Sequence, residues 1–270
     1  MISAPIRYHR AVSLEDALEA LAEPDSRALA GGHSLLPVLK LRIARPSLLV
    51  DVGRLELAGV ATDAGEVRIG PLTTWDALER APELSRPELA AVAECAAGIG
   101  DLQVRNRGTI GGGLAHADPA SDMPAVLIAL GARLRLRSRG SERTIPAADF
   151  IVGPFLTVLD EGELIVEIAV PVPPAGSGSA YVAVEHPASG FALAGAAALA
   201  RRDGSDSVAV TGVGSRPVLL TPGVGPVEAL DEVEVFGDRF APEEYRRHLA
   251  RVVVRRALER ARERREEDGS

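Results

Sequence analysis

Leu14, Ala17, Leu18 and Leu21 recur at intervals of three and four residues between Ser13 and the break at Glu23-Pro24. That spacing gathers apolar side chains on one side of a helix, and Ser13-Leu14-Glu15-Asp16 supplies residue types that cap its start. Arg27 to Ala30 predicts a short buried strand, Leu35 to Leu41 a second helix ended by Pro46, and Leu48 to Val52 a second strand closed by Gly53. Helix and strand alternate, so these pieces make a small α/β unit of about 55 residues.

From Gly59 the pattern shortens to hairpins, with Gly59-Val60-Ala61 and Val67-Arg68-Ile69-Gly70 flanking a turn at Asp63-Ala64-Gly65. Thr73-Thr74 caps a short helix in which Trp75 is a packing residue. Pro87 opens another through Leu89, Val92, Ala93 and Ala96, stopped by Gly98 or Gly100. A helix over Ala125 to Leu130 is capped by Asp118-Pro119 or Ser121-Asp122 and stopped by Gly131. Alternation over Arg133 to Arg137 predicts a half-exposed strand with a solvated arginine face, and Glu163 to Val170 a further strand.

Pro171 to Ser179 is rich in proline, glycine and serine and marks a boundary. Residues 1–175 are expected to form one domain, with parts near 1–55 and 56–175, and residues 176–270 a second. In the second, Ala180 to Val184, Phe191 to Ala200 and Val208 to Val213 predict an antiparallel meander. From Pro242 a helix carries Tyr245, Leu249, Val252, Val253 and Leu258 on one face, and its charged end, Arg260 to Ser270, is expected to fray.

Two glycine-rich stretches interrupt this pattern and carry the candidate chemistry. Arg105 to Pro124 reads RNRGTIGGGLAHADPASDMP, and Ala28 to Lys40 reads ALAGGHSLLPVLK. Without Cβ atoms, such segments turn main-chain N–H groups toward a ligand, and a glycine turn feeding a helix favours anions. Thr109, His33 and Ser34 add side-chain hydrogen bonds, and two such loops suit a diphosphate.

Composition narrows the function classes. The chain has 270 residues, 46% of them hydrophobic, enough for a sizeable core. A net charge of −8 and 3% aromatic residues disfavour nucleic acid and acidic membrane surfaces as partners. With Cys95 as its single cysteine, the chain can hold neither an internal disulfide nor a cluster bound by four of its own thiolates, and Cys95 reads as a core residue. No apolar run approaches a membrane span or a signal peptide, so a cytoplasmic location is expected. There is no P-loop, zinc-protease motif or nucleophile elbow, and Gly212-Val213-Gly214 is read as a turn.

AGGHSLLPVLKLR together with RNRGTIGGGLAHADPASDMPAVLIALGA resembles the flavin-binding medium subunit of the molybdenum hydroxylases, the family that includes the xanthine dehydrogenase flavin domain. Asp149 to Pro171, His186 to Ala200 and Tyr245 to Leu258 extend the likeness over nearly the whole chain. The resemblance implies an α+β, three-part FAD-binding fold: a small α/β unit, a middle mixed sheet, and a C-terminal antiparallel sheet with helices. It implies non-covalent FAD. Leu29, Ala30, Gly31, Gly32, His33, Ser34, Leu35 and Leu36 match the loop expected along the pyrophosphate and the sugar-alcohol chain. Thr109, Ile110, Gly111, Gly112 and Gly113 match the loop expected on its other side; Asp122 matches an acid of the FAD site and Ile165 an apolar position near a ring. His116, Asp118 and Phe191 complete the expected contacts.

Three departures stand out. Gly113 replaces the family's usual asparagine, Phe191 replaces a tyrosine beside the isoalloxazine ring, and Tyr181 to Glu185 lacks a lysine that some relatives place there. By resemblance, the chain passes electrons from a [2Fe–2S] partner subunit to an external acceptor, beside a large subunit carrying the molybdenum cofactor, with no catalytic residue of its own. Two other readings stay open at this point. One is a self-contained flavin oxidoreductase using Glu185, His186 or Tyr181 as a base; the other is a scaffold subunit that has lost FAD.

Overall fold

The computed structural model describes residues 4–267. In its first part β1 (Arg7–Arg10), α1 (Leu14–Leu21), β2 (Ser26–Leu29), α2 (Leu35–Lys40) and β3 (Leu48–Asp51) form a three-stranded parallel sheet in the order β1-β3-β2. The Ser13 hydroxyl accepts from the Asp16 N–H and caps α1 as its sequence predicts. Ala17 and Leu21 pack on Leu48, Val50 and Val52. The apolar pattern does not announce β1, because its side chains are exposed or half-buried. Main-chain pairing with β3 holds it, helped by Tyr8 and Arg10 donating to the Asp51 carboxylate.

The middle part comprises β4 (Val60–Asp63), β5 (Glu66–Ile69), α3 (Trp75–Glu79), α4 (Ala90–Gly98), α5 (Leu102–Arg105), α6 (Ile110–His116), α7 (Met123–Ala129), β6 (Arg133–Arg137), β7 (Glu142–Pro146), the small hairpin β8 (Ile151–Gly153) and β9 (Leu156–Thr157), and β10 (Leu164–Pro171). Its five-stranded sheet runs β4-β5-β10-β6-β7. Every ladder in it is antiparallel, where a mixed sheet was expected. Val67, Ile69, Leu134, Leu136, Ile168 and Val170 share one buried cluster with residues of α3, α4 and α7. The arginines of β6 pair with Glu66, Glu142, Glu167 and Glu15, so that side of the strand is a layer of surface ion pairs.

The last part is the antiparallel sheet β11 (Gly178–Glu185), β12 (Ala192–Ala200), β13 (Ser207–Thr211) and β14 (Val218–Leu219), with the helix α8 (Glu243–Glu267). All nine residues of β12, ALAGAAALA, are buried. Their faces alternate. Ala194, Ala196, Ala198 and Ala200 share a cluster with Leu249, Val253, Val254 and Ala257 of α8, while Ala197 and Leu199 join the middle cluster with residues of α4 and α7. Small side chains let helices approach both sides of one strand.

Far from fraying after Arg260, α8 continues to Glu267, and residues 268–270 lie outside the described residues. The Glu94 carboxylate of α4 explains the order, since it accepts from Arg260 at 2.6 Å, from both terminal nitrogens of Arg264, and from the Tyr181 main-chain N–H at 3.1 Å. One mostly buried acid thus ties α4, β11 and α8 together. Replacing it takes the shared acceptor away from three residues, Arg260, Arg264 and Tyr181. Glu94→Ala is expected to cost about 2 kcal/mol or more, seen as a fall of about 5 °C in the thermal midpoint, with loss of helical signal from the end of α8.

Candidate functional site

The chain leaves β2 at Leu29, turns through Ala30 to Ser34, and enters α2 at Leu35. Gly32 sits at φ +79°, a conformation that favours glycine. Gly31 lies directly against the main chain of Arg107 and Gly108, where a Cβ would overlap the Arg107 carbonyl oxygen. The two glycine-rich stretches therefore meet, main chain to main chain. Among the described residues, the N–H groups of Gly31, Gly32, His33 and Ser34 have no acceptor within the protein. Ser34 holds the N-cap position of α2 without a side-chain capping bond, and His33 Nδ1 lies 3.2 Å from the Gly31 carbonyl oxygen. Leu36 is partly exposed and packs back on Gly32.

The second stretch is built differently from a ligand-wrapping loop. Thr109 is the N-cap of α6, and Ile110, Gly111, Gly112 and Gly113 form that helix's first turn. Their N–H groups are already engaged: Ile110 with the Thr73 carbonyl, Gly111 with that of Pro71, Gly112 with Thr109 Oγ1, and Gly113 with the Thr109 carbonyl. The glycines serve close packing instead. A Cβ on Gly111 would lie 2.5 Å from Pro71 Cβ, and one on Gly113 only 2.8 Å from Trp75 Cζ2. The Trp75 indole therefore fills the room an asparagine at 113 would need. Thr109 Oγ1 accepts from Gly112 and keeps its own hydrogen for a further acceptor.

Past α6 the chain turns at Ala117, with φ 52°, and runs to Asp122 under a set of clamps. The Ala117 carbonyl accepts from Phe155 N–H at 2.8 Å, and the His116 ring stands 5.2 Å from the Phe155 ring. Asp118 closes its own turn by accepting from Ala120 N–H at 2.9 Å. From β13, the Thr211 hydroxyl donates to the Ser121 carbonyl at 2.7 Å, and Gly212 N–H to that of Pro119 at 3.2 Å. Asp122 precedes α7 but does not cap it; its carboxylate accepts from the Tyr181 hydroxyl of β11.

Burial raises the Asp122 pKa from 3.8 to about 6, against the lowering hydrogen bond from Tyr181 and with the negative charges of Glu185 and Asp118 adding to the rise. Burial also pushes the Cys95 thiol well up, which keeps it protonated, as fits a core residue. Ile165 is buried in β10 opposite Leu136, and Phe191 is half-exposed at the mouth of the β11–β12 hairpin; neither side chain can take part in the hydrogen bonds just described. A recess of about 470 Å³ between β1 and α1, lined by Arg7, Tyr8, His9, Asp16, Glu19 and Glu23, contains none of the loop residues and is no part of the site.

The structure thus brings Leu29 to Leu36 against the chain just before Thr109, and brings Asp118 and Asp122 under β11 and β13. The donor set suits a phosphorylated ligand: free main-chain N–H groups and a hydroxyl for phosphate oxygens, and a carboxylate for a sugar or sugar-alcohol hydroxyl. Trp75 is the packing residue its sequence context predicts, lying against Gly108 and Gly113, while Tyr181, weighed from sequence only as a base, donates to Asp122. The usable signals were the glycine at 113, which makes room for an indole, and the small residues of β12 facing a tyrosine.

Residues 4–173 match the family described as the FAD binding domain in molybdopterin dehydrogenase. The carbon monoxide dehydrogenase medium chain of Afipia carboxidovorans is 36% identical over 98% of this chain and 99% of its own length. The glyceraldehyde dehydrogenase medium chain of Sulfolobus acidocaldarius is 42% identical over 78% of this chain and 76% of its own. Among solved structures, a chain of carbon monoxide dehydrogenase from Hydrogenophaga pseudoflava superposes with a TM-score of 0.91 at 35% identity, covering 98% of this chain and 99% of that one.

Two outcomes test this geometry. Gly31→Ala forces the first loop off the Arg107 carbonyl and is expected to cost about 2 kcal/mol or more, read by thermal melting of the chain without ligand. Asp122 binds its proton more tightly when folded, so its contribution to stability is full below pH 4 and is lost as pH rises toward 6. Asp122→Asn escapes that loss. It is expected to melt higher than the wild type above pH 7, by up to about 3 kcal/mol, with the gap closing by pH 4; equal curves at both ends would show that Asp122 titrates normally.

Proposed function

The chain belongs to the family of FAD-binding domains of molybdopterin dehydrogenases, and on that footing we propose that it relays electrons from a [2Fe–2S] partner subunit to an external acceptor. It is an FAD-binding medium subunit of an oxidoreductase of the molybdenum hydroxylase type. The observation that best supports its own part in the relay is the first loop. Among the described residues, four successive N–H groups there have no protein acceptor, and they stand beside the chain leading to Thr109, where a diphosphate's oxygens find donors without a cationic clamp.

Each residue in the proposed site has a definite task. Gly31 to Ser34 donate to phosphate, the Thr109 hydroxyl adds a donor from the opposite stretch, and Asp122 accepts from a hydroxyl of the cofactor chain. Leu36 supplies apolar surface and Phe191 an exposed aromatic face, while Ile165 packs in the core. His33, His116 and Asp118 shape the loops they stand in: His33 through Gly31, His116 through Phe155, and Asp118 through its own turn. When bound, FAD supplies the redox chemistry, taking up one or two electrons. The protein binds it, orients it and keeps it next to the partner chains. With Cys95 buried and alone, the iron–sulfur cluster belongs to a small subunit, and substrate hydroxylation to a large subunit carrying the molybdenum cofactor.

The first test is the absorption spectrum of the purified chain before and after addition of FAD and removal of excess. The expected result is a flavin band with about one FAD per chain and, at a hundredfold excess over Kd, a stabilisation of about 2.7 kcal/mol. Electrons should reach the flavin only when the partner subunits and their substrate are present. Turnover by the chain alone would make it a self-contained flavoenzyme, and failure to take up FAD with or without partners would make it a scaffold.

A further inference from the structure

Asp122 occupies an N-cap position, where an aspartate ordinarily accepts from the N–H groups of the next two or three residues. Here that work is absent by construction. The second residue of α7 is Pro124, which has no N–H, and the N–H of the third, Ala125, bonds to the Asp122 main-chain carbonyl at 3.2 Å. The carboxylate is released from capping. It takes one hydrogen bond, from the Tyr181 hydroxyl across 59 residues of sequence, and its second oxygen has no protein donor among the described residues.

The tyrosine itself is held from both ends. Its main-chain N–H donates to Glu94 at 3.1 Å, its ring is almost wholly buried, and its hydroxyl lies over Gly195 of β12, where any Cβ would occupy the oxygen's place. The Thr211 methyl group, 3.0 Å from that same Cβ position, closes the other side. We infer that Tyr181 is a positioning residue of the cofactor site: seated over Gly195, its hydroxyl fixes the Asp122 carboxylate so that the second oxygen accepts from a hydroxyl of the FAD chain. This rests on the FAD-binding reading of the site.

The groups acting on this pair are Glu185 on β11, Asp118 in the same segment as Asp122, and Cys95 on α4. The two charged ones are negative, so they favour the protonated acid. A protonated carboxyl can donate where the site needs an acceptor, and the Tyr181 hydrogen bond opposes that protonation. Removing the hydroxyl therefore has two effects. It frees the carboxylate to rotate, and it moves the acid's titration upward.

The test is FAD affinity measured by flavin fluorescence from pH 5 to 9 for the wild-type chain, Tyr181→Phe, Gly195→Ala and the double variant, with thermal melting of each. Wild-type affinity is expected to fall as the solution is acidified through pH 6. In Tyr181→Phe the midpoint moves to higher pH and affinity at pH 7 drops about tenfold, the scale of one charge-assisted hydrogen bond. Gly195→Ala should shift the midpoint the same way, and the double variant should bind no worse than Tyr181→Phe. Should Gly195→Ala fail to fold, Tyr181→Phe carries the result, since its ring packing is unchanged. A midpoint that stays where it is in Tyr181→Phe overturns the proposal, because a purely structural role would weaken binding equally at every pH. If the wild type takes up no FAD at any pH, the cofactor reading falls instead. Titration of the Asp122 carboxyl carbon by NMR in wild type and Tyr181→Phe then separates the two: a raised midpoint upholds the Tyr181 hold on Asp122 while its cofactor role falls, and equal midpoints overturn both.

Discussion

The site depends on a missing side chain. Gly31 brings the main chain of the small parallel sheet into contact with the main chain at Arg107-Gly108, with no room for a methyl group between them. Atoms so close are fixed by repulsion as much as by attraction, so the relative position of the two stretches is set to a few tenths of an ångström. Everything that follows Arg107 inherits this placement: Thr109 at the head of α6, the Trp75 indole against Gly108 and Gly113, and the turn that carries the chain to Asp122.

A second close approach fixes the other end. The alanine-rich β12 is buried on both faces, with α8 against one and α4 and α7 near the other. Small residues in a central strand are poor β-formers, so their use here is explained by distance rather than propensity. The same economy of volume opens the space over Gly195 that the Tyr181 hydroxyl fills, and lets Thr211 and Gly212 reach the carbonyls of Ser121 and Pro119. The Ala117 to Asp122 segment is thus held from the last sheet, by Tyr181, Thr211 and Gly212.

Elements with a sustained apolar pattern were legible in the sequence: α1, the strand at Arg133 to Arg137, and the first three strands of the last sheet lie within a few residues of their predicted places. Three kinds of feature were not. The β1 strand has no buried face to generate a pattern. The α6 helix carries three glycines in its first turn, whose helix propensity is among the lowest, and it forms because Thr109 caps it and Pro71 and Trp75 pack where side chains would be. The Tyr181 to Asp122 contact joins residues far apart in sequence, and only the register of β11 against β12 sets it over Gly195. Of the candidate site, the first loop was proposed from its own glycines and polar side chains, whereas Asp122 read from the residues only as a helix cap and entered the site through the family resemblance. The division of labour between the two glycine stretches was hidden, because glycine composition is the same for both.

That division bears on how glycine-rich motifs act. At Gly31 to Ser34 the N–H groups have no acceptor among the described residues, so the stretch displays donors, and its glycines matter for what the main chain presents. At Gly111 to Gly113 the N–H groups are all spent inside the protein, so these glycines matter for what may lie against them. A substitution in the first stretch changes displayed donors and packing together; one in the second changes packing, unless it moves Thr109. Gly113 is of the second kind: the Trp75 indole lies where a side chain at 113 would go, and the Thr109 hydroxyl accepts from Gly112 N–H beside it.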